Sequence, residues 1–245
     1  MTANLLQLRG VHTHIGSYHI LHGVDFEVPA GQVTVLLGRN GAGKTTTLRT
    51  IMGLWRASSG SVAFDGQAIH SLATPEIARL GIAYVPESMG IFNDLTVREN
   101  LLLAARSARR IEDIDTTRLE RLFELFPALK KFWLYPAGKL SGGQKQMLAI
   151  ARAMVEEQRL LLIDEPSKGL APAIVQNLVT ALRELKHSRT TVLLVEQNFA
   201  LARALGDSVA VMDDGRVVHR GSMAELADDE ALQGRLLGLS LAGHS

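Results

Sequence analysis

The chain has 245 residues, of which 47% are hydrophobic and 21% are charged, as expected for one large globular domain or a core with a subdomain. Its net charge of +1 gives no overall electrostatic footprint for nucleic acid, and the absence of cysteine excludes disulfides, thiolate metal sites and cysteine nucleophiles. The N-terminus lacks a secretory signal pattern. The longest apolar runs, such as residues 160–163, fall far short of the ~20 residues that cross a bilayer. We therefore expect no direct membrane contact, only contact through a partner.

Hydrophobic periodicity and turn residues predict an alternation of strands and helices along most of the chain. Strands are predicted at 5–9, 24–28, 33–37, 60–64, 82–85, 160–163, 191–195 and 209–212, and a hairpin is predicted around 213–218. Helices are predicted at 44–54, 74–80, 146–154 and 172–186. Near-continuous apolar strands separated by helices indicate a mainly parallel sheet with helices on both faces.

The period changes between about residues 96 and 156. Thr96 and Glu99 form a capping-box pattern, and the apolar residues at 119, 122, 123 and 126 recur at helical spacing. We expect one domain over 1–245. Its core, with an N-terminal antiparallel β subdomain, covers about 1–86 and 157–245, and a helical subdomain covers about 87–156.

The stretch from Gly38 to Thr45 matches the pattern G-x-x-x-x-G-K-[S/T] at every fixed position, between a predicted strand and a predicted helix. Its glycines let backbone N–H groups form a concave anion site at a helix N-terminus. Lys44 adds a charge for the terminal phosphates, and Thr45 offers a hydroxyl to Mg²⁺. We therefore predict a bound nucleoside triphosphate. The predicted contacts of this loop are Gly38, Arg39, Asn40, Gly41, Ala42, Gly43, Lys44, Thr45 and Thr46.

Two adjacent carboxylates, Asp164 and Glu165, end the apolar strand 160–163. The carboxyl ends of parallel strands face the ligand crevice, so an acid there can hold Mg²⁺ opposite the phosphates. We predict that Asp164 orients the metal and that Glu165 is the general base for the attacking water. The alternative is an acidic strand end that caps the next helix.

The segment from Leu140 to Gln144 reads Leu-Ser-Gly-Gly-Gln and precedes a helical pattern. A hydroxyl and bare amides at a helix N-terminus form a second anion site. In isolation, Ser-Gly-Gly is better explained as a turn with an N-cap. Its position between Lys44 and Asp164 makes coincidence implausible.

These three motifs, in this order and at this spacing, resemble the nucleotide-binding subunits of ATP-binding cassette (ABC) transporters over essentially the whole chain. The resemblance implies a P-loop NTPase fold of the ABC type, with ATP and Mg²⁺ as ligands. It also implies that Ser141, Gly142, Gly143 and Gln144 contact the γ-phosphate held by a partner subunit, so that two chains build two composite sites.

Three departures from the general pattern are informative: Glu87 replaces the usual glutamine, Gln197 the usual histidine and Ala171 the usual aspartate. Together they resemble the branched-chain amino acid (LivF-like) branch of importer ATPases, whose relatives also handle urea and short amides. This implies a peripheral protein on the inner, cytoplasmic face of the cell membrane that energises uptake of hydrophobic amino acids. The implied partners are a sister ATPase, separate permeases and an external solute-binding protein; a homodimer remains possible.

Two of these departures, Gln197 and Glu87, change what the site can do, and a fourth departure concerns the adenine contact. Gln197 can still donate a hydrogen bond to the γ-phosphate but cannot become cationic. Glu87 can approach Mg²⁺ or the attacking water, and it adds negative charge to the site. The aromatic residue that stacks on adenine in the family is replaced by Ile15, with Tyr18 three residues later, and the sequence does not decide between them.

The segment 88–95 is unusually apolar for a loop. In the family that the chain resembles, this region meets the permease, so we expect Met89, Ile91 and Phe92 to line that contact; the alternative is a buried connector.

Two other classes of function compete with a transport ATPase. A non-transport ABC ATPase acting on ribosomes or DNA is disfavoured by the single cassette, the short distance from Lys44 to Ser141 and the near-neutral charge. A nucleotide kinase or GTPase leaves the segment 140–144 unexplained, and no Asn-Lys-x-Asp stretch is present.

Overall fold

The computed structural model describes residues 3–106, 108–187 and 190–237. Ten strands and ten α-helices are named within these ranges. The strands are β1 (Asn4–Ile15), β2 (Tyr18–Pro29), β3 (Val33–Gly38), β4 (Ala57–Phe64), β5 (Gln67–Ala68), β6 (Ile82–Val85), β7 (Leu160–Asp164), β8 (Thr191–Glu196), β9 (Ser208–Asp213) and β10 (Arg216–Ser222). The helices are α1 (Lys44–Ile51), α2 (Thr74–Arg79), α3 (Val97–Ala104), α4 (Thr116–Leu125), α5 (Pro127–Lys131), α6 (Gly142–Met154), α7 (Pro172–His187), α8 (Phe199–Leu205), α9 (Met223–Asp228) and α10 (Glu230–Leu237). Two short 3₁₀ helices lie at Ile111–Asp113 and Ala137–Lys139.

A six-stranded sheet in the order β10-β9-β3-β8-β7-β6 forms the centre of the fold. All of its neighbouring strands are parallel except β10, which pairs antiparallel with β9. Every residue of β3, β7 and β8 is buried, as their apolar sequences require when helices cover both faces. The predicted mainly parallel α/β core is confirmed.

A second, antiparallel sheet in the order β2-β1-β4-β5 contains the N-terminal strands. Its inner residues, with Phe26 and Phe64 among them, share one hydrophobic cluster with α1 and one face of the central sheet. The other face of the central sheet contributes to a larger cluster with α3 to α8. The antiparallel sheet therefore packs beside the loop that follows β3.

Helices α3 to α6 occupy the region between β6 and β7, where the helical period was predicted. Thr96 caps α3 through its hydroxyl, which accepts a hydrogen bond from the Glu99 amide at 3.2 Å, and the Glu99 carboxylate accepts one from the Thr96 amide at 2.7 Å. Leu122 and Phe126 are fully buried against this helical cluster. The exact division into a core and a subdomain at residues 87–156 stays a prediction.

The predicted bounds differ from the structure where the chain turns. The first helix ends at Ile51, not at Leu54, because Gly53 adopts a left-handed conformation (φ 69°) and the Leu54 amide bonds back to the Arg49 carbonyl at 2.9 Å. Strands β1 and β2 are each 12 residues long, well beyond the predicted bounds, because both carry bulges that break the simple alternation. Within the described ranges, no helix combines the length and apolarity needed to cross a bilayer.

Candidate functional site

The loop after β3 has the backbone of an anion cradle. Gly43 stands at the N-terminus of α1 with φ 100°, and a Cβ there would lie 2.9 Å from Leu21 Cδ2. A Cβ on Gly38 would lie 2.4 Å from the carbonyl oxygen of Met212. Both positions therefore require glycine. No side chain in the described part of the chain caps α1, so its first amides are free for an anion.

The other predicted loop residues lie around this cradle. Arg39, Asn40 and Gly41 are exposed at the rim and Ala42 is buried beneath them. Thr46 is half-buried in the first turn of α1, where its carbonyl accepts a hydrogen bond from the Thr50 hydroxyl at 2.8 Å.

Lys44 is only 3% exposed, and its ammonium group has three acceptors. Its Nζ lies 2.8 Å from the Gly38 carbonyl, 2.9 Å from the Arg39 carbonyl and 3.1 Å from Oε1 of Glu165. These contacts hold a compact cation inside the cradle. A phosphate must therefore compete with Glu165 for this charge.

Asp164 is completely buried at the end of β7, beside Thr45 of α1. The Thr45 hydroxyl donates to Oδ1 at 3.1 Å, and the Tyr84 hydroxyl donates to Oδ2 at 3.1 Å. Burial raises the pKa of Asp164 despite these two bonds, and nearby Glu165 raises it further. In the described residues no cation pairs with this carboxylate. Its oxygens and the Thr45 hydroxyl have the hard-oxygen chemistry that Mg²⁺ prefers.

The described residues contain no group of three or more His, Cys, Asp or Glu side chains arranged to hold a metal. The residues present fit a magnesium ion only if phosphate and water supply most of its ligands, which is the usual arrangement at nucleotide sites.

Glu165, the proposed base, is 7% exposed and has a strained backbone, with φ 45°. Gln197 donates a hydrogen bond to Oε1 at 2.8 Å. Burial alone would raise the pKa of Glu165, but the hydrogen bonds from Gln197 and Lys44 and the Lys44 charge together lower it. The side chain is therefore held as a carboxylate.

Gln197, which follows β8, bridges two parts of the site. Its Nε2 donates to Asn40 Oδ1 at 2.6 Å as well as to Glu165. The structure therefore brings together Gln197, the rim of the phosphate loop and the predicted base. If the hydrogen bond to Asn40 or to Glu165 breaks, the Gln197 amide can donate to a phosphate instead.

Glu87 lies in the loop after β6, next to the loop after β7. Its Oε1 is 2.7 Å from Nζ of Lys168, which is also 3.5 Å from Oε2 of Glu165. Hydrogen bonding to Glu87 raises the pKa of Lys168, so Lys168 is a cation at neutral pH. The role of Glu87 as a magnesium ligand stays a prediction; in the structure its partner is an ammonium group.

The Ser-Gly-Gly-Gln motif begins α6. Ser141 Oγ accepts from the Gln144 amide at 3.3 Å, while Oε1 of Gln144 accepts from the Ser141 amide at 2.9 Å. Ser141 and Gly142 are exposed, whereas Gly143 packs so closely that a Cβ would lie 2.2 Å from Ile174. Among the residues described, no hydrogen bond or ion pair joins this motif to the phosphate loop. The motif therefore presents its exposed face outward from its own chain.

Ile15 and Tyr18 are directly opposite each other at the tip of the β1–β2 hairpin. Alternation places Ile15 on the same face as Thr13, whose hydroxyl contacts Thr50 of α1 at 3.1 Å. Tyr18 is 74% exposed and Ile15 is half-buried. Both therefore remain candidates for the adenine contact.

Sequence reasoning missed Tyr84, Lys168 and Glu196. Glu196 is 1% exposed, and its carboxylate accepts bonds from Ser167 and from the amides of Gln197 and Asn198 at 3.0–3.2 Å. It thereby ties the loop after β7 to the loop after β8. Only the strand order, in which β6, β7 and β8 are neighbours, could have indicated these three residues.

The glycine cradle, the buried lysine and the acids at the end of the next-but-one strand define a P-loop nucleotide-binding ATPase. A family model described as "ABC transporter" matches residues 21–168. The chain therefore belongs to the ABC transporter ATP-binding family, and ATP hydrolysis is the general activity of this domain. It is an ATP-binding subunit of an ABC transporter, and such subunits work with permease components.

Two curated relatives are similar over nearly their whole length. The chain is 39% identical to the high-affinity branched-chain amino acid transport ATP-binding protein BraG of Pseudomonas aeruginosa, over 96% of this chain and 100% of that protein. It is 37% identical to a probable branched-chain amino acid transport ATP-binding protein, LivF, of Archaeoglobus fulgidus, over 90% and 93%.

Solved structures agree on the fold. CbiO1 of Clostridium perfringens, part of the transporter complex CbiONQ, has a TM-score of 0.81 at 27% identity, with 97% of this chain and 96% of that one covered. An ATP-binding cassette of an ABC transporter in its ADP conformation has a TM-score of 0.79 at 27% identity, with 94% and 97% covered. The predicted ABC-type fold and family are confirmed.

Proposed function

We propose that this chain hydrolyses ATP to power uptake of branched-chain or other hydrophobic amino acids through a separate permease. The observation that carries the proposal is the full-length similarity to two branched-chain amino acid transport ATPases, together with Glu87, Gln197 and Ala171 in the pattern of that branch. The protein would lie on the cytoplasmic face of the membrane, bound to its permease.

The site residues have separate roles in ATP binding and hydrolysis. The amides of the phosphate loop and Lys44 would bind the β- and γ-phosphates, and Thr45 and Asp164 would hold magnesium, with Glu87 as a further candidate. The ion, when bound, neutralises charge on the phosphate oxygens. Glu165 accepts the proton of the attacking water, and Gln197 donates a hydrogen bond to the γ-phosphate.

One chain does not complete this site. The outward-facing Ser141 and its neighbouring amides at the α6 N-terminus supply anion-binding groups that the phosphate loop of the same chain does not contact. We infer that they complete the ATP site of a second ATPase subunit, and that the reciprocal motif of that subunit completes this one. A heterodimer with a sister ATPase fits the resemblance best.

We propose that the permease contacts a groove of about 690 Å³ between the central sheet and the helical region. Its lining includes Leu54, Trp55, Met89 and Arg152. Phe92 stands beside it, 48% exposed, with the Arg152 guanidinium 5.2 Å from its ring centroid. An apolar, cationic groove suits a short cytoplasmic segment of the permease that carries apolar and acidic side chains.

The test is reconstitution. The complex would be purified from its native membrane through a tag on this chain, placed in liposomes with its solute-binding protein, and assayed for ATP-dependent uptake of leucine, other amino acids, urea and acetamide. Uptake of hydrophobic amino acids supports the proposal. Uptake of urea or acetamide alone would assign the system to the neighbouring branch, and recovery of the chain without any permease would contradict a transport role.

A further inference from the structure

Lys168 lies between two carboxylates that belong to different loops. Its Nζ is 2.7 Å from Oε1 of Glu87 and 3.5 Å from Oε2 of Glu165. A tight turn, in which the Lys168 amide bonds to the Glu165 carbonyl at 3.1 Å, places the ammonium group over the proposed base. The strands that lead into the two loops, β6 and β7, are parallel neighbours, with Val85 opposite Ile163.

The two carboxylates that Lys168 bridges differ in burial and in how firmly they are held. Glu165 is 7% exposed and its Oε1 is already held by Lys44 and Gln197, whereas Lys168 supplies the contact recorded for Oε2. Glu87 and Lys168 are 44% and 49% exposed, so solvent or a bound partner can reach their pairing. The inner end is therefore fixed, and the outer end can be displaced.

The effect of moving Glu87 away from Lys168 follows from the charges of the three groups. With Glu87 in place, the ammonium group is shared and makes only a loose pair with Glu165. Without Glu87, one cation faces one nearby carboxylate, and the Coulomb attraction draws Lys168 onto Oε2. A carboxylate drawn toward Lys168 in this way leaves the position in which Lys44 and Gln197 hold it.

We propose that Lys168 is a positioning residue that couples the placement of Glu87 to the position of Glu165; this rests on the proposed role of Glu165 as the base. Glu87 lies two residues before Met89, which lines the groove assigned to the permease. A partner segment that shifts this loop would thereby change the rate of hydrolysis without touching ATP.

The test is a double-mutant cycle in the reconstituted complex, with the equivalent base of the sister ATPase replaced by glutamine so that only this chain's site turns over. We expect Glu87→Gln to lower kcat about tenfold with KM for ATP unchanged. Lys168→Met should lower kcat by a similar factor, because Oε2 loses its restraint. The double variant should match Lys168→Met alone, and Lys168→Arg should retain most of the wild-type kcat.

Matched controls are Glu124→Gln on α4 and Lys131→Met on α5, both exposed. The coupling would be contradicted if the effects of Glu87→Gln and Lys168→Met on kcat multiply in the double variant. It would also be contradicted if Lys168→Met has the wild-type kcat, or if the variants change only KM. The proposed role of Glu165 as the base is tested separately. Wild-type turnover in Glu165→Gln would show that Glu165 is not the base, whatever the result for Lys168. Unchanged melting temperatures would exclude misfolding as the cause.

Discussion

Lys44 and Glu165 form a buried ion pair, with Nζ 3.1 Å from Oε1, so the phosphate-binding cation and the proposed base are partners. On the proposed roles, a phosphate bound near Lys44 would redirect the ammonium group and leave Glu165 with fewer hydrogen bonds. Nucleotide binding would thereby free the carboxylate to accept a proton. Removing one partner of a buried pair normally destabilises a protein, but a neutral amide of equal size preserves the packing.

Glu165→Gln should abolish hydrolysis and preserve ATP binding. The amide cannot accept the proton, so kcat should fall by about 10²–10⁴-fold. Lys44 loses a competing carboxylate, so ATP affinity should not fall. The variant should retain ATP in a stable dimer, seen by gel filtration with radiolabelled nucleotide. Glu124→Gln, the same change at an exposed site, is the control, and normal turnover in Glu165→Gln would show that another group is the base.

Ser141→Arg should separate binding from turnover. Ser141 is exposed and makes no recorded contact with the phosphate loop of its own chain. The isolated subunit should therefore bind ATP with wild-type affinity, measured with a fluorescent analogue, while the assembled complex loses hydrolysis. Arginine also removes the N-cap, which costs about 1 kcal/mol, so Ser141→Ala is needed as a stability match. Weakened ATP binding by the isolated Ser141→Arg subunit would contradict the composite site.

The sequence predicted the parts of the site that follow from local chemistry. The glycine pattern of Gly38–Thr45 predicts a phosphate loop, and two acids after an apolar strand predict a metal and base site, without reference to distant residues. The first helix ends three residues before its predicted end, and the cause is also local, because Gly53 adopts a left-handed conformation.

What could not be predicted depends on which strands are neighbours. Tyr84 reaches Asp164, and Lys168 reaches Glu87, only because β6 lies beside β7 in the sheet. Glu196 has the same dependence, since its partners come from the next strand's loop. Contacts of this kind are set by topology, which residue spacing does not encode.

Phe92→Asp should uncouple transport from ATP binding. The Phe92 backbone is fixed by Asn100, whose side chain bonds both the Phe92 amide and its carbonyl at 3.0 Å, so the change affects only the half-exposed side chain and its contact with Arg152. We expect uptake to fall at least tenfold, with ATP affinity unchanged, because an aspartate cannot pack against an apolar partner segment. Leu134→Asp, 69% exposed and outside the groove, is the matched control. Intact uptake in Phe92→Asp would exclude this residue from the contact.

Glu196→Leu should destabilise the fold and the site together. The change leaves the partly buried amides of Ser167, Gln197 and Asn198 without their acceptor, so the free energy of unfolding should fall by about 1–3 kcal/mol. Urea denaturation measures the change. Glu196→Gln retains an oxygen acceptor and should lose less. Equal loss in both variants would mean that packing, and not hydrogen bonding, is the contribution of this side chain.

Four histidines share one face of the β1–β2 hairpin. The register shift beside Ile20 brings His19 and His22, which are three residues apart, to the same side, where their ring centroids are 4.1 Å apart. Nδ1 of His12 lies 3.0 Å from Nε2 of His19, a hydrogen bond that two protonated rings cannot make. The cluster comprises His12, His14, His19 and His22.

His22 should make the folded state sensitive to mild acid. Burial and then the charge of His19 lower the pKa of His22 below its usual 6.5; Asp214 opposes this and Arg216 reinforces it. The unfolded chain therefore binds a proton more readily than the folded one, so the free energy of unfolding should fall as pH drops below about 6.5. Urea midpoints at pH 7.5 and 5.5 measure the fall. His22→Gln should reduce it and His70→Gln, outside the cluster, should not; an equal fall in His22→Gln would place the acid sensitivity in other groups, since a neutral amide at this position has no proton to gain.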